Sequence, residues 1–324
     1  MKQIGIVNSR KMNFNYSVIC ILFIATLAAC NNNPVGNDYT DTATSGKVNI
    51  TVDESYALLF DTQIYTFEAL YPNAKVFAKF KPEQDALNDL LMDSSKVAVI
   101  NRPLSKKELA RFKAANIYPI STKIAEDAIA LVVNNNNLDT AFSMKQIKRF
   151  LTGEDTLWPQ NKRQKINIVF DNPNSANYRY LKDLLNNKEF GSNVFAVKSN
   201  PEVISYVSSH ENAIGVISVN WISDMDDTLS QSFLKKIKVV GLTDEEYPNE
   251  LTKFRKPRQA YIANKSYPLC RSVYMINRQT RAGLGTGFVS FVAGEKGQRM
   301  MKLAGLVPAT MQVRLIQITN KPLN

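Results

Sequence analysis

The sequence predicts an α/β protein in which short apolar strands alternate with amphipathic helices. Apolar runs of four to six residues recur along the chain, such as residues 97–100 (VAVI) and 213–218 (AIGVIS). The segments between them space their apolar residues as a helix does. Several of these segments open with a Ser-x-x-Glu or Ser-x-x-Gln capping box, as at residues 105–108 and 143–146. Alternation of this kind favours parallel pairing inside a layered sheet, where ligands bind beyond the carboxyl ends of the strands.

In the first part of the chain we predict three strands, at residues 47–52, 74–80 and 97–100. A helix follows each strand. The first carries apolar residues at helical spacing between Ala57 and Leu70. The second starts at Pro82, because proline is well tolerated in a first helical turn. The third opens with the capping box at residues 105–108.

The rest of the chain repeats this order of elements. Five further strands are predicted, at residues 128–133, 166–170, 213–218, 236–240 and 272–276. Helices are predicted from the capping box at 143–146 to Gly153, after the turn at 171–175, and from a third capping box at 199–202. A last amphipathic helix is predicted at 288–303, ending before Gly305. No internal repeat is visible.

Composition excludes several kinds of site. The 324 residues contain one histidine, His210, and three cysteines, Cys20, Cys30 and Cys270. A histidine-rich zinc site, a four-cysteine site and a disulfide framework are therefore excluded by counting. We predict no metal and no cofactor. His210 lies beside Glu211 between a helix and a strand, where a capping or surface role is favoured over catalysis.

The N-terminus is predicted to be a targeting segment. Residues 1–29 carry three basic residues and no acid, then an apolar run of about a dozen residues, too short for a spanning helix. The run ends in Leu-Ala-Ala-Cys, which looks like the lipobox of a bacterial lipoprotein, so Cys30 is the expected lipidation site. Cleavage before Cys30 lowers the net charge from +11 to +8. Residues 30–46 are polar and predict a flexible tether that anchors the protein to a membrane through its lipid.

The order of segments resembles the phosphate-binding, substrate-capturing proteins of ABC importers. The matching segments are ITVDES, AVINRPLSKKEL, IAEDAIALVVNNNN, FSMKQIKRFLTGEDTLW, VFDNPNSANYRYLKDLL, ENAIGVISV, SYPLCRSVYMI and FVAGEKGQRMMKLAGLVP. The resemblance implies the two-lobed type II periplasmic binding protein fold, with mixed sheets flanked by helices and a cleft between the lobes. Lobe 1 would comprise residues 46–130 and 270–324, and lobe 2 residues 134–264. The chain would cross near 130–133 and 267–275.

Ligand-binding residues follow from the same resemblance. The family grips phosphate with a Ser-Gly-Thr turn, which here is Ser175, Ala176 and Asn177, so Ser175 and Asn177 are candidates. Asn101, Arg102 and Ser55 follow other strand ends. Helix N-termini hold oxyanions through unpaired N–H groups and a partial positive charge. Plain helix capping by Ser55 and Ser175, and a solvated or interlobe Arg102, remain open as alternatives.

Acidic residues depart from the phosphate pattern. Asp171 stands where the family has a basic residue, Asp53 and Glu54 replace a Gly-Ser-rich loop, and Glu83 replaces a small hydroxyl residue. Each unpaired like charge at ~4 Å costs about 4 kcal/mol at an effective dielectric of 20. Asp171 is included in the expected site because one carboxylate can accept the proton of monohydrogen phosphate. A zwitterion or a ligand with a cationic end also stays open.

Three functions are compatible with these features. The first is a monomeric, non-enzymatic lipoprotein that captures an oxyanion, foremost phosphate, and delivers it to an ABC permease. The second is a metal-dependent phosphoesterase of the envelope using the four acids just named. The third is a sensor lipoprotein without a transporter. The basic segment 253–258 is a weak nucleic-acid motif in an exported chain, and the glycines at 283–287 lack dinucleotide-binding spacing, so neither partner is predicted.

Overall fold

Strands from the two ends of the chain share one mixed sheet. The computed structural model describes residues 41–245 and 253–312. In these ranges the strands are β1 (Gly46–Asp53), β2 (Ala74–Lys81), β3 (Val97–Ile100), β4 (Ile120–Asn134), β5 (Ala141–Ser143), β6 (Asn167–Phe170), β7 (Val194–Ala196), β8 (Ala213–Ser218), β9 (Ile237–Val239), β10 (Gly241–Thr243), β11 (Cys270–Asn277) and β12 (Val307–Pro308). The α/β class predicted from the sequence is confirmed.

Helices connect these strands and cover the sheet. They are α1 (Ala57–Leu70), α2 (Glu83–Leu91), α3 (Lys106–Ala114), α4 (Met144–Thr152), α5 (Ala176–Leu184), α6 (Asn200–Ser209), α7 (Asn220–Ser223), α8 (Thr228–Leu234), α9 (Gln259–Ala263), α10 (Leu284–Ala293) and α11 (Glu295–Leu303). A 3-10 turn, Glu54–Tyr56, precedes α1. Ser105 and Ser143 form the predicted capping boxes with Glu108 and Gln146.

The sheet has two halves that meet in strand β4. The strand order is β2-β1-β3-β11-β4-β8-β6-β7. We call the part from β2 to residue 128 of β4 the first half-sheet, and the part from residue 129 to β7 the second. Three neighbouring strands pair in parallel in each half, β2-β1-β3 and β8-β6-β7, whereas β11 runs antiparallel to β3 and β4, and β4 runs antiparallel to β8. The mixed sheet that the resemblance implied is therefore confirmed.

Strand β4 is more than twice as long as predicted. The sequence pattern indicated residues 128–133, whereas β4 spans Ile120–Asn134. Its first residues are polar and partly exposed, so they lack the continuous apolar run that marks a buried strand. Long-range pairing with β11 extends the strand instead. Its pairing passes from β11 to β8 at Ile129, whose N–H donates to the carbonyl of Leu269 at 2.9 Å.

The predicted helix at 288–303 consists of two helices. Gly294 has extended backbone angles and separates α10 from α11. The two helices then pack so closely that a Cβ on Gly297 would lie 2.4 Å from the carbonyl oxygen of Val292. Only glycine fits that approach, so the break is built into the sequence at two positions.

Each half-sheet has its own apolar core. The first includes Ile50, Phe60 and Phe288, and the second includes Phe142 and Trp158, all fully or almost fully buried. Burial of this extent is the main favourable contribution to folding. The polar residues described below lie where the two cores approach each other.

The targeting segment lies outside the described residues. This applies to the predicted signal at 1–29, to Cys30 and to most of the predicted tether. From Asp41 onward the chain is held against the folded part, because Leu284 N donates to Asp41 Oδ1 at 2.7 Å. Among the described residues, no helix combines the length and apolarity that crossing a membrane requires.

Candidate functional site

The N-termini of helices from both half-sheets converge on one interface. The 3-10 turn and α2 come from the first half-sheet, and α5 and α6 from the second. Hydrogen bonds join them across the interface. Among these, Asn200 Nδ2 donates to Glu54 Oε2 at 2.8 Å, and Gln84 N donates to the carbonyl of Asn174 at 3.1 Å. Each helix begins directly after a strand or turn, which brings their partial positive charges together.

A buried ion pair lies beside these helix ends, near the point where strand β4 changes its pairing partner from β11 to β8. Arg271 and Asp127 face each other in register on β11 and β4, with side chains 1% and 0% exposed. The Arg271 Nε and Nη2 atoms donate to Asp127 Oδ2 at 3.0 and 2.8 Å. The hydroxyls of Tyr56 and Ser218 donate to the same oxygen at 2.7 and 3.1 Å. Burial opposes the charged guanidinium, but the neighbouring Tyr56 and Asp127 raise the pKa of Arg271 above its usual range.

Asp171 accepts hydrogen bonds from three side chains. Ser175 Oγ donates at 2.6 Å, Asn177 Nδ2 at 3.0 Å and Asn200 Nδ2 at 3.1 Å. Ser175 also caps α5, because its Oγ accepts from the N–H of Tyr178 at 3.1 Å. Asn177 Oδ1 accepts from Arg271 Nη1 at 2.8 Å, so this group is linked to the ion pair.

Glu83 links the half-sheets through a second arginine. Its Oε1 accepts from the backbone N–H of Asn101 at 2.8 Å, and its carboxylate pairs with Arg179 of α5. Asn101 Nδ2 in turn donates to the hydroxyl of Tyr56. The loop after β3 is thereby tied to the start of α2 and to the buried ion pair.

The carboxyl groups of the interface resist ionisation. Burial, and then the charge of Glu83, raise the pKa of Asp53 to about 7. Burial raises the pKa of Glu54 to about 7 despite its bond from Asn200, and the charge of Asp171 adds to the rise. Burial also raises the pKa of Asp171, against the hydrogen bond from Ser175 and the charge of Arg271. Crowded carboxyls in a poorly solvated interface favour the neutral form.

A small cavity of about 150 Å³ opens where the helix ends meet. Asp53, Glu54 and Lys81 line it from the first half-sheet, and Ser175 and Lys198 from the second. The volume is below the 300–1,000 Å³ typical of drug-sized ligands, and it corresponds to about five water molecules at ~30 Å³ each. The cavity therefore suits a very small ligand.

Four buried polar atoms of this region have no hydrogen-bond partner among the described residues. They are Asp53 Oδ2, Ser55 Oγ, Asn101 Oδ1 and Asp127 Oδ1. Buried polar groups are normally paired, and those left unpaired cost about 1–3 kcal/mol each. Their concentration on one interface is typical of a binding site rather than of a structural core.

The structure brings together most residues that the sequence singled out. Ser55, Asn101, Ser175, Asn177 and Asp171 are all buried at the interface. The acidic residues noted as departures, Asp53, Glu54 and Glu83, lie there as well. Whether each contacts a ligand stays a prediction.

Arg102 lies apart from this group. Its Nη1 and Nη2 atoms each donate to a carboxylate oxygen of Glu108 at 2.8 Å. The capping box at the start of α3 holds Glu108 in place, so Arg102 pairs locally. It borders a separate, open cavity of about 510 Å³ that also reaches Arg179 and Arg271. Arg179, not Arg102, makes an ion pair between the two half-sheets, with Glu83.

Sequence reasoning missed Arg271, Asp127 and Asn200. Asp127 directly precedes the apolar run 128–133 of β4, and a charge at such a position is rarely buried without a partner. Arg271 is the second residue of the partner strand, β11. Predicting that the two side chains pair requires the register between β4 and β11, which a local sequence pattern does not contain. Asn200 was visible only as part of a capping box.

Two other expectations concern metals and His210. Across residues 41–245 and 253–312, no three His, Cys, Asp or Glu side chains are placed to hold a metal ion together. His210 is the C-cap of α6 and stacks on Tyr206 with ring centroids 3.9 Å apart, as the predicted capping role requires.

Comparisons with known proteins agree on one family. The model of a family described as a PBP superfamily domain matches residues 37–296. A phosphate-binding protein PstS of Borreliella burgdorferi is 23% identical over 260 residues, covering 77% of this chain and 85% of that protein. A phosphate-binding protein PstS of Staphylococcus aureus is 26% identical over 219 residues, covering 64% of this chain but only 62% of that protein.

Solved structures show the same similarity. A phosphate ABC transporter substrate-binding protein with bound phosphate, from Clostridium perfringens, superposes with a TM-score of 0.67 at 21% identity, over 82% of this chain and all of the other. An ABC-type phosphate transport receptor from Vibrio cholerae gives 0.61 at 20% identity, over 80% and 99%.

Proposed function

We propose that this chain, which belongs to the PBP superfamily, is a solute-binding protein that captures a small oxyanion, foremost phosphate, for an ABC permease. The type II periplasmic binding protein fold predicted from the sequence is confirmed by the solved relatives. The named relatives bind phosphate, which supports the same ligand here. We propose no enzymatic activity, and a monomer as the working state.

The convergence of the α2 and α5 N-termini on the 150 Å³ cavity, with the 3-10 turn and the residue before the cap of α6 beside them, carries this proposal. Helix ends offer unpaired N–H groups and partial positive charge, so they stabilise an anion without mobile countercharges. Buried Arg271 adds a full positive charge behind Asn177. Lys198 at the cavity makes no ion pair within the described parts of the chain. Together these positive groups would draw an anion to the interface, against the repulsion of the carboxyl groups that line the same cavity.

Capture would use closure of two lobes. We assign residues 46–130 and 270–324 to one lobe and 134–264 to the other, joined at β4 and the start of β11. The Glu83–Arg179 pair and the Asn200–Glu54 hydrogen bond connect the two sides. Closing the cleft removes the ligand from water, which strengthens each hydrogen bond that the ligand accepts.

Calorimetric titration with inorganic phosphate, sulfate, molybdate, amino acids and sugars tests the ligand class. We expect heat of binding with phosphate, and a rise in melting temperature that grows with phosphate concentration. Binding of an amino acid or a sugar with no response to any oxyanion would refute the proposal.

Ser175→Ala tests the location of the site. It removes one neutral donor, so phosphate binding should weaken by about 0.5–1.5 kcal/mol. Ser143→Ala is the matched control, because Ser143 caps α4 away from the cavity. Both variants lose a helix cap worth about 1 kcal/mol of stability, but only Ser175→Ala should lose affinity.

Attachment to a membrane through Cys30 is part of the proposal. The lipobox at 27–30 supports it, and these residues lie outside the described ranges. Cys30→Ser should leave the precursor uncleaved and without lipid. A Cys30→Ser protein that is still processed and still partitions with membranes would contradict this anchor.

A further inference from the structure

Asp171 occupies the donors that an external oxyanion would need. Its Oδ1 atom accepts from Ser175 Oγ, and its Oδ2 atom accepts from the amides of Asn177 and Asn200. All three donors stand in the first turn or at the cap of α5 and α6. A carboxylate of the protein itself therefore occupies the position at these helix N-termini where a bound anion would lie.

The charges around Asp171 are unevenly arranged. Arg271 on β11 is its main positive neighbour, and Lys81 and Lys198 border the cavity that Asp171 lines. Lys81 is already paired with Asp89 at 2.7 Å. On the acidic side, Glu54 faces Asp171 from the 3-10 turn, and Asp53 lines the same cavity. An anion entering here meets more carboxyl groups than unpaired cations.

We infer that Asp171 is a specificity-determining residue, an internal carboxylate that competes with the external oxyanion for Ser175, Asn177 and Asn200. This inference rests on the proposed function, and it makes Asp171 the residue that limits how tightly the oxyanion binds. An oxyanion can take these three donors only when Asp171 is protonated or turns away. Two negative groups cannot share the donors without repulsion.

The competition makes capture depend on pH. As pH falls, Asp171 gains a proton, its charge no longer repels the ligand, and its hold on the three donors weakens. Burial raises the pKa of Asp171, which moves this change toward neutral pH. Oxyanion affinity should therefore rise as the pH is lowered, by a contribution that belongs to Asp171.

The test is calorimetric titration of inorganic phosphate into the full chain and its Asp171→Asn variant at pH 5 and pH 8. Asparagine keeps the shape and removes the charge. At pH 8 we expect Asp171→Asn to bind phosphate at least about tenfold more tightly, which corresponds to about 1.4 kcal/mol. At pH 5 the gain should shrink. Parallel titrations with sulfate, whose charge does not change between pH 5 and pH 8, separate the protonation of Asp171 from that of phosphate.

Two further variants make the test specific. Asp155→Asn removes an acid of the second half-sheet that pairs with Arg149 far from the cavity, and it should leave the affinity unchanged. Asp171→Ser replaces the carboxylate if the asparagine variant fails to fold, which its melting temperature will show.

The outcomes separate the two claims. Wild-type binding that Asp171→Asn leaves equal or weaker at pH 8 would overturn the inference alone, as would a gain of equal size at pH 5 and pH 8. Absence of phosphate binding by the wild type and by every Asp171 variant would overturn the proposed function together with the inference.

Discussion

Two arginine–carboxylate pairs, Arg102–Glu108 and Arg271–Asp127, show how burial gives the same kind of ion pair different roles. Arg102 and Glu108 are six residues apart, and their side chains are 21% and 16% exposed. Arg271 and Asp127 are 144 residues apart and essentially inaccessible. The local pair finishes a helix cap, whereas the long-range pair lies at the strand crossing and bonds to Asn177 of the candidate site.

The comparison shows that removing one partner of an ion pair costs the most stability where the pair is buried. Removing one partner of a partly exposed pair costs little stability, because water replaces the partner. A buried pair leaves an uncompensated charge in a poorly solvated interior. Protonation shows a similar contrast, since the buried carboxyls of Asp53 and Glu54 have raised pKa values while the pKa of Glu108 is lowered.

The largest effect is expected from Arg271→Ala. It leaves Asp127 buried without its charge partner, so the free energy of unfolding should fall by about 3–5 kcal/mol in urea titration. Arg149→Ala is the matched control, because Arg149 pairs with Asp155 at the surface, where water replaces the lost partner, so its loss should hardly change the free energy of unfolding. Equal losses in the two variants would break the comparison between buried and exposed pairs.

An intermediate effect is expected from pH acting on Asp53. Its pKa is about 7 in the folded chain and near 3.9 when unfolded. Between these values the unfolded chain releases the proton first, so stability falls as pH rises from about 4 to 7. Asp53→Asn should remove this loss, making the variant more stable than wild type at pH 8 by a few kcal/mol at most.

The local pair should respond to pH in the opposite sense. Burial opposes ionisation of Glu108, but hydrogen bonds from Arg102 and Ser105 lower its pKa to about 2. Its contribution is present above about pH 4 and is lost as pH falls toward 2. Urea titrations of wild type, Asp53→Asn and Glu108→Gln at several pH values check this contrast, and parallel stability curves for the three proteins would contradict it.

The smallest effect is expected from Arg102→Ala. The pair is partly exposed, and Ser105 remains to cap α3, so stability should change by about 0.2–1 kcal/mol. Because Glu108 already holds its guanidinium, phosphate affinity should stay within about twofold. A loss of about 2–5 kcal/mol in titration would instead restore Arg102 as a direct ligand contact.

Local patterns predicted most of the fold. The capping boxes at Ser105 and Ser143 and the strands at 97–100 and 213–218 depend on neighbouring residues, and all four are present where expected. The longer β4 could not be read in this way, because pairing with β11 rather than apolar character extends it.

The candidate site divides along the same line. Ser175 and Asn177 stand in a turn whose chemistry is visible in sequence. The hydrogen bond from Asn200 to Asp171 could not be predicted, because Asn200 lies on another helix. Arg102 was predicted to bind the ligand because its position in the sequence does not show that it pairs with Glu108. Arg271 gave no sign of burial until the register placed it opposite Asp127.

A crystal structure grown with phosphate at pH 5 tests the central claim most directly. The claim predicts an anion in the cavity bounded by Asp53, Ser175 and Lys198, with Ser175 Oγ and Asn177 Nδ2 turned from Asp171 toward it. Arg271 should remain paired with Asp127 behind the site. A cavity without an anion, or an anion bound only at the surface near Arg102, would contradict the claim.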